Sequence, residues 1–534
     1  MNVPLVLIWL GIAQIQIPEV RVPEIRVAIP PPAGQIDISI DLTTSSPGQD
    51  LETILAQERK FLEKWSKNDT DQAQRMAAEA ILKQLGTIGQ DISLTGFRFE
   101  ILPDYVPKSG WGMTTEWLKS RQLQAFRDST VDQLWKVARK AAQQDRFRIT
   151  DQALRAIIRR DTNQQEAWRL LGYLAVTDGW ATPYAEAQKE RKRILHPKFG
   201  WMDQDWIEPL ARGQLPIGAD SITKKIAWGP ADQANAAHSN WENAWEIVTE
   251  HFRIRSNVGF DQAVAFGRKL EAFYQFFFSQ MADLIGPELP LARRWRMKTM
   301  KPAVSPIVHH VSYFADKDQY VKELTPLEGD SIAESIGYYR RPPQNANGRQ
   351  RGGRGMSYFF QDSGGQLPVE ATLYHEASHQ LLFETAGRDR LESNRGHYWL
   401  FEGLGTCFET VQVTEDASIQ FASPVGARMD VARKRILNDH VYTPYEVFEA
   451  YGQTGFNIQN KIHDHYAQAM AMTLYFLVGS DARTRDIFLD YARDAYKGRL
   501  RGARGLATRL GVEPKVIDES FIQYLKKGVS EKQP

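Results

Sequence analysis

Residues 374–379 read Tyr-His-Glu-Ala-Ser-His, and residues 399–404 read Trp-Leu-Phe-Glu-Gly-Leu, with Glu402 placed 23 residues beyond His379. An α-helix advances 3.6 residues per turn, so His375 and His379 would stand one above the other on one face, where two imidazoles can converge on one cation. Glu376, one position on, points to the side of that cation, and a carboxylate there can take a proton from a coordinated water. The stretch has to be helical for these residues to act together.

With 11 His in 534 residues, the His-Glu-x-x-His pattern arises by accident in about one chain in a hundred of this composition, so context has to decide. Pro368 suits a first helical turn, and Ala371, Leu373, Ala377, Leu381 and Leu382 supply apolar positions at helical spacing. The spacing predicts a helix through the motif. A buried helix with two hydrogen-bonded core histidines is the competing reading.

A catalytic zinc needs three protein ligands and one open position for water. The metzincin pattern places a Gly three residues beyond the second His and another His three further on. Leu382 and Thr385 stand there, which excludes that class. Glu402 is the better third ligand, because a second helix expected from Trp399 to Val411 carries Leu400, Leu404, Cys407 and Phe408 to pack it against the first. Glu384, Asp389, Glu392 and His397 compete for the role. Glu409, seven residues after Glu402 and so on the same face, is either a support for a ligand histidine or a solvated carboxylate. Zinc would acidify its water, Glu376 would accept the proton, and the resulting oxyanion would need a donor opposite the metal. Tyr466, His463 and His465, at the start of a helix expected from Tyr466 to Val478, are the candidates, with a core aromatic as the alternative for Tyr466.

Tyr-His-Glu-Ala-Ser-His-Gln-Leu at 374–381, Trp-Leu-Phe-Glu-Gly-Leu at 399–404 and Tyr-Ala-Gln-Ala-Met at 466–470 resemble the gluzincin metallopeptidases, in particular their peptidase-MA-like branch. More closely, the chain is similar to a bacterial family of secreted proteins of unknown function with the same constellation. The resemblance covers roughly residues 240–480. It implies one zinc ion held by His375, His379 and Glu402, Glu376 as the base, and Tyr466 in the place of a transition-state tyrosine. It also implies a sheet ahead of the metal helix, whose edge strand pairs with an extended peptide substrate.

At 534 residues and 42% hydrophobic content the chain can fill two or three domains. With 66 basic and 65 acidic residues, its net charge of +1 calls for neither nucleic acid nor an anionic membrane as a partner. The single cysteine, Cys407, falls on the Glu402 helix and reads as a small buried hydrophobe. Pro4 to Ala13 is an apolar run too short to span a bilayer, ending in Gly11 and Ala13, small residues at the positions a signal peptidase reads, so residues 1–13 read as a signal peptide and the mature chain as secreted or held in the periplasm or cell envelope. No Lys or Arg precedes the run; without export the chain would be cytoplasmic. No later run is long enough for a membrane span.

Residues 14–50, rich in proline, read as an extended tether. Residues 51–215 read as a helical accessory domain of tetratricopeptide type with a possible protein partner, containing helices at Leu51 to Trp65, Asp71 to Leu85 and Val131 to Ala142 and a helical hairpin from Ala153 to Arg160 and Glu166 to Leu174. From about residue 240 to the end, strands expected at Trp245 to Arg255, Ser305 to Phe314 and Met356 to Gln361, with a helix at Phe260 to Leu284, give an α+β peptidase domain. Met356 to Phe360 is the candidate edge strand. His309 and His310, adjacent on a strand, face opposite ways and read as core or surface residues. Arg340, Arg341, Arg349, Arg351 and Arg354 form an Arg and Gly rich loop at the rim of the cleft that would favour acidic substrates. The expected function is zinc-dependent peptide-bond hydrolysis, and the alternative is a non-catalytic binding module with a structural or vacant metal site.

Overall fold

A computed structural model describes residues 45–67, 71–86, 97–109, 111–112, 114–219, 225–342, 355–361, 369–386, 396–414, 418–421, 427–500 and 505–530. The signal-like run, nearly all of the tether, the loop arginines beyond Arg341, Asp389 and Glu392 fall outside them. Contacts gather the chain into two compact units, and one boundary between them, at Glu384, falls inside a continuous helix. Among the described residues, the first unit holds those within 183–274 and 303–384, and the second those within 45–182, 275–302 and 385–530.

The first unit is built on a five-stranded sheet. Its strands are β1 (Trp245–Val248), β2 (Phe252–Ser256), β3 (His309–Phe314), β4 (Gly337–Arg340) and β5 (Met356–Phe360), in the spatial order β4-β5-β3-β2-β1. β2, β3 and β5 run parallel, while the outer strands β1 and β4 are antiparallel to their neighbours. Parallel neighbours need a crossover, and α1 (Phe260–Gln280) supplies the one between β2 and β3. The central strand β3 is buried along nearly its whole length, as a strand covered on both faces must be. α2 (Val369–Ala386) follows β5, and its Tyr374 ring meets Phe273 of α1 at 4.9 Å.

Several expectations shift here. The stretch from Trp245 is two strands, because Thr249 N–H donates to the Phe252 carbonyl at 2.9 Å and turns the chain into a hairpin. Met356 to Phe360 forms a strand, but not the edge: β5 pairs on both sides, and β4 occupies the rim. Four residues, Gly-Tyr-Tyr-Arg, were too few to announce that strand by alternation. Residues 174–219 are not simply helical either, since they hold strands at Leu174–Val176, Gly179–Ala181, Arg193–His196, Gly200–Asp203 and Gln214–Ala219.

The second unit is mostly helical. Pro47–Trp65, Gln72–Gly86 and Arg121–Gln143 are helices, as are Phe147–Arg160 and Gln165–Leu171, which form the expected helical hairpin. The hairpin's second helix stops early because Gly172 takes a left-handed conformation at φ 105°. The same unit contains α3 (Tyr398–Phe408) and α4 (Ile462–Leu474), then Ala482–Tyr496 and Pro514–Ser530. A small antiparallel sheet joins Phe97–Glu100 to Ser418–Phe421 and Gln412–Val413. Thus the early helices and the C-terminal helices share one unit. Among the described residues no helix is long and apolar enough to cross a membrane.

Ionisable side chains are buried inside this unit. Arg160 donates through Nε to Glu58 at 2.7 Å with both side chains sealed from solvent, an arrangement that is costly to break by removing one partner. Asp283 is fully buried, and its Oδ1 accepts the Arg148 backbone N–H at 2.8 Å while Oδ2 receives no hydrogen bond. Burial pushes its carboxyl up to about 6 against the opposing pull of Arg148. The folded chain therefore binds this proton more tightly than the unfolded chain does. The resulting stability is fully present below about pH 4 and is lost as pH rises through about 6, a change on the order of 3 kcal/mol. We expect Asp283→Asn, which keeps the accepting oxygen, to gain thermal midpoint relative to wild type as pH rises from about 4 to about 7. A gap that stays constant across that range would refute this account.

Candidate metal centre

Helix α2 is buried from Thr372 through Phe383, polar residues included. His375, Glu376 and His379 are each at most 4% exposed. The Nε2 atoms of the two histidines lie 3.1 Å apart. Two nitrogens bound at 2.0–2.1 Å to one tetrahedral zinc would stand about 3.3 Å apart, so the rings already hold close to a ligating geometry. Burial, with His375 beside it and the Arg341 charge nearby, holds the His379 imidazole well below its ordinary value. It is kept neutral, the form that can bind a metal.

Glu402, on α3, completes the group: His375, His379 and Glu402 each offer one ligand atom, and all three atoms lie within 4.8 Å of one another. All three residues are buried and could hold a metal ion. Two imidazoles and a carboxylate form the donor set of a three-ligand zinc site that leaves a fourth position open.

Local packing aims Glu402. Tyr398, one turn earlier on α3 and fully buried, donates its hydroxyl to Glu402 Oε1 at 2.8 Å. Gly403 faces α4 so closely that a Cβ there would fall 2.4 Å from Thr473 Oγ1 and 2.9 Å from the Ala469 carbonyl. Only glycine lets the two helices approach to that distance. Tyr398 escaped the sequence reading, although its four-residue spacing to Glu402 was visible there, and Gly403 was noted only as the residue that follows Glu402.

Of the four competing ligands, the two among the described residues, Glu384 and His397, are engaged elsewhere. Glu384 takes its contacts from His309, Tyr339 and Gln380, and His397 meets the Tyr491 hydroxyl through Nδ1 at 2.8 Å. His309 is buried, as one of the two readings for it required, and His310 is half-buried. Glu409, considered from sequence as a support for a ligand histidine, meets Arg428 with both its oxygens, at 2.5 and 3.1 Å. Cys407 is buried, and burial pushes its thiol well above the ordinary range, so it stays protonated.

Of the three candidate donors, His463 is exposed, and His465 directs Nδ1 to the Phe456 carbonyl at 2.7 Å. Tyr466 is buried on α4, with its ring edge-on to Phe456 at 5.2 Å and the Arg428 guanidinium 5.6 Å from its centre. All three sit inside α4, which begins at Ile462, earlier than the periodicity suggests.

Residues 369–497 match a family described as a protein of unknown function, DUF1570. The matched span contains the whole His375, His379 and Glu402 group together with α4. No curated protein matches the chain.

Two substitutions test how Glu402 is held. Tyr398→Phe should weaken zinc binding by about tenfold to a hundredfold, as loss of a ligand's supporting hydrogen bond does elsewhere; competition against a chromogenic chelator reads this directly. Gly403→Ala should lower stability by about 1–3 kcal/mol through overpacking against α4, measured as a fall in the denaturation midpoint.

Proposed function

We propose that the chain is a zinc-dependent metallopeptidase of the gluzincin type, with His375, His379 and Glu402 as metal ligands and Glu376 as general base. The observation that supports it most is the convergence of two buried imidazoles and one buried carboxylate with a second acid, Glu376, adjacent in sequence to a ligand. A site that only stabilised the fold would need no acid in that place. When bound, zinc supplies Lewis acidity, which acidifies water and polarises a carbonyl.

The remaining steps belong to the protein. Glu376, 2% exposed, accepts the proton of the attacking water and returns it to the departing amine, so that the peptide C–N bond breaks with the proton on nitrogen. Tyr466 is the proposed donor to the oxygen that becomes negative in the transition state. The apolar run at residues 4–13 supports action outside the cytoplasm, in the cell envelope or beyond.

Glu376→Gln should keep stoichiometric zinc by metal analysis yet lose hydrolysis of a peptide library by about a hundredfold to ten-thousandfold. Tyr466→Phe should cost about a hundredfold with zinc retained. Full hydrolysis by the Gln variant would remove Glu376 from the mechanism, and wild-type protein that takes up no zinc would favour a binding protein without catalysis.

A further inference from the structure

Helix α2 carries a second set of buried polar residues that the proposed reaction does not use. Gln380 is fully buried and the Glu384 side chain is 8% exposed. The two are four residues apart, so they form one stripe, turned about 100° around the helix from His379. The Glu384 carboxylate lies 2.6 Å from His309 Nδ1 on β3 and accepts from the Tyr339 hydroxyl on β4 at 3.2 Å and from Gln380 Nε2 at 3.3 Å. Gln380 in turn donates to the His310 carbonyl on β3 at 3.1 Å and accepts from Ser357 Oγ on β5 at 2.7 Å.

Three adjacent strands therefore each grip this stripe. His309 Nε2 is buried without a hydrogen-bond partner, near the rings of Phe252 and Tyr274, so the ring proton belongs on Nδ1, facing Glu384. Burial and the Glu384 charge raise Tyr339, which keeps its hydroxyl a donor. β4 also touches α2 a little over two turns earlier, where a Cβ at Gly337 would lie 2.6 Å from Thr372 Cγ2 and 3.2 Å from Glu376 Cγ.

We propose that Glu384, with His309, Tyr339 and Gln380, is a clamp that sets the rotation of α2 on the sheet and so positions His375 and His379 for metal binding. This rests on the zinc reading above. An apolar stripe would pack at least as well as a buried carboxylate, which has to be compensated on every side. What hydrogen bonds add is direction. A turn of about 20° would carry an imidazole nitrogen, about 6 Å from the helix axis, through about 2 Å. That is roughly ten times the tolerance of a metal–ligand distance. These four are positioning residues, since none is assigned to the metal or the substrate.

The test uses the full chain and compares zinc affinity, the visible absorption of the Co(II) form and the thermal midpoint. Glu384→Ala should raise the zinc dissociation constant about tenfold or more and alter the Co(II) bands, while Glu384→Gln, which preserves shape and an accepting oxygen, should stay within about threefold of wild type. If the Ala variant does not fold, Tyr339→Phe, which removes a single hydrogen bond, should weaken zinc and shift the Co(II) bands in the same direction. Unchanged zinc affinity and an unchanged Co(II) spectrum in the folded Ala variant, or in Tyr339→Phe, would overturn the clamp even if the midpoint fell. Wild-type protein that binds no zinc would overturn the metal reading and the clamp with it, which separates the two failures.

Discussion

Two imidazole nitrogens 3.1 Å apart inside a buried helix set the terms for their surroundings. Lone pairs so placed are costly unless something shares them, and the same burial that makes them costly keeps His379 neutral. A cation there would resolve the conflict, because neutral imidazoles would become its ligands and a buried carboxylate would balance part of its charge. The presence of Glu402 within reach of both histidines follows the same logic.

Each helix that carries a candidate ligand is held by its own unit in a different way. α2 rests on a sheet, and its polar stripe bonds to three strands of that sheet. α3 rests on another helix, and its closeness to α4 depends on the missing side chain at Gly403. At its start, Gly396 and His397 take left-handed conformations at φ 90° and 65°, and the Tyr398 hydroxyl then reaches Glu402 one turn on. Left-handed backbone at a non-glycine residue is strained, and the His397 contact to Tyr491 helps to offset it.

Buried polar groups recur away from the candidate centre as well. Glu58 with Arg160 and Asp283 with Arg148 lie in the interior of the helical unit. In each case direction and partner are specified where apolar packing alone would leave the helices free to slide. Asp283 shows the limit of such pairing, since one of its oxygens receives no hydrogen bond and its carboxyl remains hard to ionise.

The residues of the candidate centre were legible in the chain itself because their chemistry depends on local spacing. Four residues between two histidines is one helical turn wherever the helix lies, and the apolar pattern around Leu373, Ala377 and Leu381 was enough to predict that helix. Glu402 was already preferred from the apolar pattern of its helix, but that Glu384 and His397 are engaged elsewhere needed the fold, because strands and helices from distant parts of the chain place their hydrogen-bond partners. The same holds for β4. Gly337–Arg340 is too short to show a period, and it is the rim of the sheet only because β5 finds neighbours on both sides. The close approach at Gly403 and the grip on Gln380 likewise exist only as distances between elements. Periodicity along a chain fixes which face a residue takes, and tertiary packing alone decides what that face meets.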